Sequence, residues 1–163
     1  MARADSGYGA IITTPLGKLG LLASGNVLTG LDFLKPDIPE CLPCDPVIEA
    51  ALTQLQAYFA DSKSMFTLSL LPQGSSFQKR VWQVLRTIPS GSTVSYGMLA
   101  KELNTSARAI GGACCANPLP IFIPCHRVVS RQGLGGYSGA MEGPQLDIKA
   151  WLLQHEAQGA RKS

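Results

Sequence analysis

At 163 residues, with 45% apolar and 15% charged side chains, the chain can build one domain with a sizeable core or two small lobes, and its composition excludes a disordered polymer. No stretch reaches the roughly 18 to 20 apolar residues of a membrane-crossing helix, and Met1-Ala2-Arg3-Ala4-Asp5-Ser6 lacks the apolar core of a secretory signal, so the expectation is a soluble, cytoplasmic protein with no membrane partner. The formal charge of +3 is unevenly divided: residues 1–77 carry four basic and seven acidic side chains, residues 78–131 carry seven basic ones against Glu102 alone, and the rest balance, which points to a polyanionic partner, most simply nucleic acid.

Apolar runs around Ile11-Ile12, Leu19–Leu22 and Val27–Leu34, separated by Pro15-Leu16-Gly17-Lys18 and Ser24-Gly25-Asn26, predict a small antiparallel meander. Cys41 and Cys44 have metal-like spacing, but a structural zinc needs four ligands, and His126 and His155 lie far away, so no metal site is expected. With five cysteines and no signal sequence, free thiols in a reducing compartment are the expectation. Asp45 as N-cap and Pro46 at the first helical position open a helix through Val47, Ile48, Ala51, Leu52, Leu55, Tyr58 and Phe59. A short strand near Met65–Leu70 and then Leu71-Pro72-Gln73-Gly74 mark the expected boundary between a lobe at 1–73 and another at 74–163.

Beyond Gly74 the pattern turns mainly helical. Ser75 or Ser76 caps a helix with Phe77, Val81, Trp82, Leu85 and Ile88 on its apolar face, and Pro89-Ser90-Gly91 stops it. Ser95 caps a helix over Tyr96–Leu103, Asn104-Thr105 turns the chain, and Ser106 opens a second helix, a spacing that fits a helix-turn-helix. That second helix is almost bald. Ala107, Ala109, Gly111, Gly112 and Ala113 leave Arg108 as the one long projection, and glycine inside a helix costs roughly 1 kcal/mol against alanine. Two readings follow: close helix packing in the core, with Cys114-Cys115 packing as well, or close approach to a nucleic-acid backbone with Arg108 entering the stack or a groove.

Ile121-Phe122-Ile123 reads as a short buried strand ending at Pro124-Cys125-His126-Arg127. A cysteine reacts as its thiolate, and a neighbouring cation or proton acceptor raises the thiolate fraction, so Cys125 is the candidate nucleophile. Adjacent strand residues point to opposite faces, so His126 would reach the thiol through a bridging water or a local bend. The competing reading is a buried structural cysteine.

In order, Gly74-Ser75-Ser76-Phe77-Gln78, Val81-Trp82, Ile88-Pro89-Ser90-Gly91, Ser95-Tyr96, Arg108–Ala113, Asn117-Pro118, Ile123–Val129, Tyr137-Ser138-Gly139 and Trp151–Glu156 resemble the O6-alkylguanine-DNA alkyltransferases. The resemblance covers residues 74–156, and residues 1–73 join it loosely through Thr14-Pro15-Leu16-Gly17. It implies an α+β protein: a small N-terminal lobe with an antiparallel sheet and a helix, and a mainly helical C-terminal lobe with a helix-turn-helix and an active-site strand. It implies direct-reversal DNA repair, in which Cys125 takes the alkyl group of a flipped O6-alkylguanine and keeps it as a thioether, once per molecule. His126 would deprotonate Cys125 through a water, with Glu156 orienting the imidazole. Tyr96 would help rotate the nucleotide, and Arg108 would fill the vacated stack. Asn117 would hold the turn, and Val128, Tyr137 and Ser138 would read the base. Ala107, Ala109, Gly111 and Gly112 would lie along DNA. The implied partner is double-stranded DNA carrying O6-alkylguanine, with O4-alkylthymine left open. The implied protein is a monomer with no cofactor and no metal, placed at the nucleoid, or in the nucleus of a eukaryote.

Gly139–Asp147 is longer than the family pattern, which leaves the pocket rim and the accepted alkyl size open, whereas Ser75-Ser76 for Thr-Pro is a mild change because serine caps well. Two other functions compete: a lesion binder without chemistry, against which Cys125, His126 and Glu156 count, and a cysteine hydrolase or thiol redox enzyme, which leaves the basic helix pair without a purpose.

Overall fold

The computed structural model describes residues 7–43, 45–131, 133, 135 and 143–161. The chain forms two units, Met1–Gln73 and Gly74–Ser163. In the first, β1 (Ala10–Thr14), β2 (Gly17–Ser24) and β3 (Val27–Leu34) pair antiparallel in the order β1-β2-β3, with a register shift at Leu22/Ala23. The helix α1 (Pro46–Ala60) packs on β2 and β3 through Ile48, Ala51, Leu52, Leu55 and Tyr58, and full burial of a large apolar side chain is worth about 1.5–3 kcal/mol. Asp45 occupies the N-cap position with extended backbone, but its side chain makes no capping bond; Pro46 supplies the start.

The expected strand at Met65–Leu70 does not form. Its exposure alternates, yet its pairing with β3 is the single bridge Leu28–Leu70, where Leu28 N donates to Ser69 O and Leu71 N to Leu28 O. Alternation here marks a chain laid along a surface rather than a ladder.

The second unit begins with α2 (Ser76–Leu85), whose start is a capping box: Gln78 N donates to Ser75 Oγ and Ser75 N to Gln78 Oε1. Then β4 (Val94–Ser95) leads directly into α3 (Tyr96–Glu102), capped where Met98 N donates to Ser95 Oγ. Asn104 takes a left-handed φ of 55° in the turn, and α4 (Ala107–Cys115) opens where Ala109 N donates to Ser106 Oγ. The helices α3 and α4 pack together, as do α2 and α4; Trp82 Nε1 donates to Ala113 O at 2.9 Å, joining the latter pair.

Cys125 does not end a strand. Residues Cys125–Arg127 form a 3-10 turn, and a two-residue strand β5 (Val128–Val129) follows, paired parallel with β4. Before it, Asn117 Nδ2 donates to Ile123 O and Asn117 Oδ1 accepts from Leu119 N, a clasp inside which buried Ile121 is held at φ 77°. Such a φ in a β-branched residue costs of order 1–3 kcal/mol and persists because its surroundings impose it. The last helix, α5 (Pro144–Arg161), contacts the 3-10 turn.

Candidate active site and nucleic-acid interface

Cys125 is 4% exposed and His126 fully buried, each fixed by the 3-10 turn, while Glu156 (1% exposed) arrives from α5. His126 Nε2 lies 2.8 Å from Glu156 Oε2. A carboxylate can only accept there, so the imidazole carries its proton on Nε2 and presents Nδ1 as an acceptor. That Nδ1 is buried and, among the described residues, has no hydrogen-bond partner.

The electrostatics follow from burial against partners. Burial pushes Glu156 upward, but hydrogen bonds from His126 and Arg127 outweigh it and hold the carboxyl well below the usual carboxylate range. Burial pushes His126 down, opposed by Glu156, which leaves a neutral imidazole at pH 7. Cys125 departs from the sequence expectation of a raised thiolate fraction: burial pushes its thiol up to about 11, and the Asn117 hydrogen bond and the Lys149 charge recover only part of this. At rest the sulfur keeps its proton. The site therefore matches a base in waiting rather than a standing thiolate.

Arg127 was named in the sequence only as part of a motif, and its role is structural. Its Nε and Nη2 each meet a Glu156 oxygen at 2.9 Å and its Nη1 donates to Ile88 O, so the carboxylate is gripped by a fork while it holds His126. Lys149, also missed, is fully buried, with Nζ donating to Val128 O at 2.7 Å. A signal existed: Lys149, Leu152 and Glu156 fall at i, i+3 and i+7, one face of α5, and all three are buried. Gly135 is a third. At φ 74° it lies against Tyr96, where a Cβ would stand 2.9 Å from the ring, so only glycine fits.

Tyr96, at the start of α3, is half-buried, and burial pushes its hydroxyl up to about 12, with Cys114 and Cys125 adding to the shift. Cys114 is buried near these groups, whereas Cys115 is exposed, so one of the pair packs. Ala107, Arg108 and Gly112 are exposed, Ala109 and Gly111 half-buried. A Cβ at Gly111 or Gly112 would meet nothing within 4 Å. Close core packing is therefore not why this helix carries two glycines; its bare face is open. Val128 is buried in β5, and Asn117 clasps the turn. Tyr137 and Ser138, together with residues 139–142 of the long 139–147 segment, lie outside the described residues. Cys44 does too; Cys41 is exposed, and among the described residues no three His, Cys, Asp or Glu side chains gather as a metal group. No helix among them is long and apolar enough to cross a membrane.

A buried thiol followed by an oriented imidazole, in one unit with a capped helix pair whose open face is bare except for Arg108, points to a class: proteins that join cysteine chemistry to a nucleic-acid-binding fold. Comparison with known proteins narrows the class. Residues 76–158 match the DNA-binding domain of 6-O-methylguanine DNA methyltransferase and residues 8–72 its ribonuclease-like domain. A methylated-DNA–protein-cysteine methyltransferase of Mycobacterium leprae is 42% identical over 150 residues, 88% of each chain, and one of Methanosarcina acetivorans is 37% identical over 157 residues, 91% of this chain and 97% of that one. The structure of Mycobacterium tuberculosis OGT in complex with DNA superposes with a TM-score of 0.78 at 38% identity, covering 91% of this chain and 92% of the other. The chain belongs to the methylated-DNA–protein-cysteine methyltransferase family.

Proposed function

We propose that this protein repairs DNA by direct reversal, moving the alkyl group of O6-alkylguanine in duplex DNA onto Cys125. The observation that carries the reading is the buried His126 Nδ1, which has no hydrogen-bond partner among the described residues, on the residue that follows Cys125 and with Nε2 tied to Glu156. Through a bridging water, Nδ1 accepts the thiol proton. The Sγ–C bond forms as the C–O6 bond breaks, the bonding electrons leave on the guanine, and the guanine takes up one proton as it departs. The product is a thioether, which water does not cleave, so each molecule acts once.

A buried sulfur cannot reach a stacked base, so the nucleotide must first leave the duplex. Tyr96 assists its rotation, and Arg108 fills the space behind it. The bare Ala107, Ala109, Gly111 and Gly112 face lets the backbone of DNA come close, and Asn117 keeps the reacting turn in place. Val128, Tyr137 and Ser138 hold the flipped base. Recognition and transfer both belong to residues 74–163, the protein works as a monomer without a cofactor in the compartment that holds the genome, and O4-alkylthymine is a second lesion to assay.

The test is intact mass. One equivalent of duplex containing O6-methylguanine should add the mass of one methyl group, at Cys125 alone, and Cys125→Ala should bind the duplex without gaining mass. Methyl on another residue, or repeated turnover, would refute the reading.

A further inference from the structure

The turn between α3 and α4 is closed from a third helix. The last four carbonyls of a helix, here those of Ala100, Lys101, Glu102 and Leu103, have no partner within it. Thr105 N donates to Ala100 O at 2.8 Å and Asn104 N to Lys101 O at 3.3 Å, with Asn104 at φ 55°, the paired bonds and left-handed residue of a Schellman cap. Leu103 O stays outside that pattern, and Arg80 of α2 takes it: Nη2 donates to it at 3.2 Å. Arg80 is exposed, yet its guanidinium is steadied by Phe77 one turn back on α2, with Cζ 5.8 Å from the ring centroid. A cation here also meets the negative end of α3. Only Thr105 and Ser106 lie between Asn104 and α4, and Arg108 is the second residue of α4, so the angle of that helix depends on this turn.

We propose that Arg80 is a positioning residue for DNA docking: by completing the cap of α3 from α2 it fixes the turn at Asn104, so that α4 presents Arg108 and its bare face at one angle before a duplex arrives. The inference rests on α4 being the DNA-facing helix of the proposed function. A turn that is already ordered has no ordering entropy to lose on binding, and the saving goes to affinity. Charge counting assigns Arg80 a different part, since it belongs to the basic excess of residues 78–131 and a guanidinium grips phosphate well. The two parts differ in their response to salt: a phosphate contact releases counterions, whereas a bond to Leu103 O inside the protein releases none. They differ also at Asn104. Damage to the turn that leaves every charge in place should weaken docking in the same way as loss of Arg80.

Binding of the full-length protein to a fluorescently labelled, undamaged duplex is followed by anisotropy from about 50 to about 200 mM salt, so that no alkyl group moves during the titration, with circular dichroism as the folding control. Arg80→Met, which keeps an apolar stem near Phe77 and loses the donor, should bind about fivefold more weakly at every salt concentration, with the wild-type slope of log affinity against log salt. Arg80→Lys, a cation that can still donate to the carbonyl, should stay within about twofold of wild type. Asn104→Ala, which puts a Cβ where φ is 55°, should lose as much as Arg80→Met, and Asn104→Gly, which removes the same side chain but accepts that φ, should lose less than about twofold. With saturating duplex carrying O6-methylguanine, Arg80→Met should transfer methyl within about twofold of the wild-type rate, because the chemistry is untouched once the turn is docked. A slope lower by about one in Arg80→Met would make the residue a phosphate contact and overturn the proposal. So would wild-type affinity in that variant, a lysine variant as weak as the methionine one, equal losses in Asn104→Ala and Asn104→Gly, or a limiting transfer rate that falls in place of affinity. Duplex binding with the expected pattern but no methyl transfer to Cys125 would instead sink the functional reading and leave this one standing.

Discussion

Two faces of the C-terminal unit have opposite compositions. Around Cys125 the interior holds an imidazole, a carboxylate, a guanidinium fork and an ammonium, groups that ordinarily stay in water. The outer face of α4, where charge is cheap, is stripped to alanine and glycine around Arg108. Interior charge has its desolvation cost offset by specific partners and fixes proton positions, whereas a bare surface keeps distance small. In the proposed reaction, chemistry and docking would make contrary demands on burial, and the turn clasped at Asn117 lies between the two regions in the chain.

Breaking the interior should have the largest effect. Glu156→Ala strands the Arg127 fork and the His126 Nε2 proton, so urea unfolding should show a loss of about 3 kcal/mol, with methyl transfer down by roughly 100-fold or more in single-turnover assays. Arg108→Ala should leave stability unchanged while repair of duplex falls about tenfold and reaction with free benzylguanine stays within about twofold. Equal losses on both substrates would remove its stack-filling role. Gly112→Ala sharpens the contrast because its two readouts move oppositely: stability should rise by about 0.5–1 kcal/mol, since the new methyl meets open space in a helix, while DNA affinity in a titration falls. A gain in both would mean that the bare face does not meet DNA.

The smallest effect is in pH. His126 is depressed in the folded state, so below its unfolded value of about 6.5 the unfolded chain binds the proton first and stability is lost as pH falls. As pH falls from about 7.5 to about 6, stability in urea unfolding should decline, while the transfer rate per folded molecule should fall less than an unperturbed histidine would make it fall. A transfer rate that halves near pH 6.5 would show an unperturbed histidine.

Local chemistry was readable before any coordinates. Ser75, Ser95 and Ser106 announce three helix starts because a serine oxygen meets a backbone N–H within its own turn, and the meander shows in its turn residues. What escaped was non-local. The parallel pair of β4 and β5 joins residues far apart through two positions each, too few for any period to show. Cys125 looked like the end of a strand because Ile121-Phe122-Ile123 is apolar; the Asn117 clasp instead folds that run into turns, with Ile121 at positive φ. The burial that pushes the thiol up did not show either, because burial depth is a property of the fold and not of the neighbouring letters. Lys149 and Glu156 each pass for solvated helix positions until Leu152 between them shows which way that face turns.

The indole of Trp82 has one further use. It is almost fully buried, and its single donor ends on the carbonyl of Ala113, on the helix that carries Arg108 and the glycines. Tryptophan emission responds to the polarity and hydrogen bonding of the ring, so any tilt of that helix under a docked duplex would register as a colour change in an unlabelled sample. With Trp151, stacked on His155, replaced by phenylalanine, the remaining signal would isolate that one movement. The protein carries its own strain gauge at the joint between grip and chemistry.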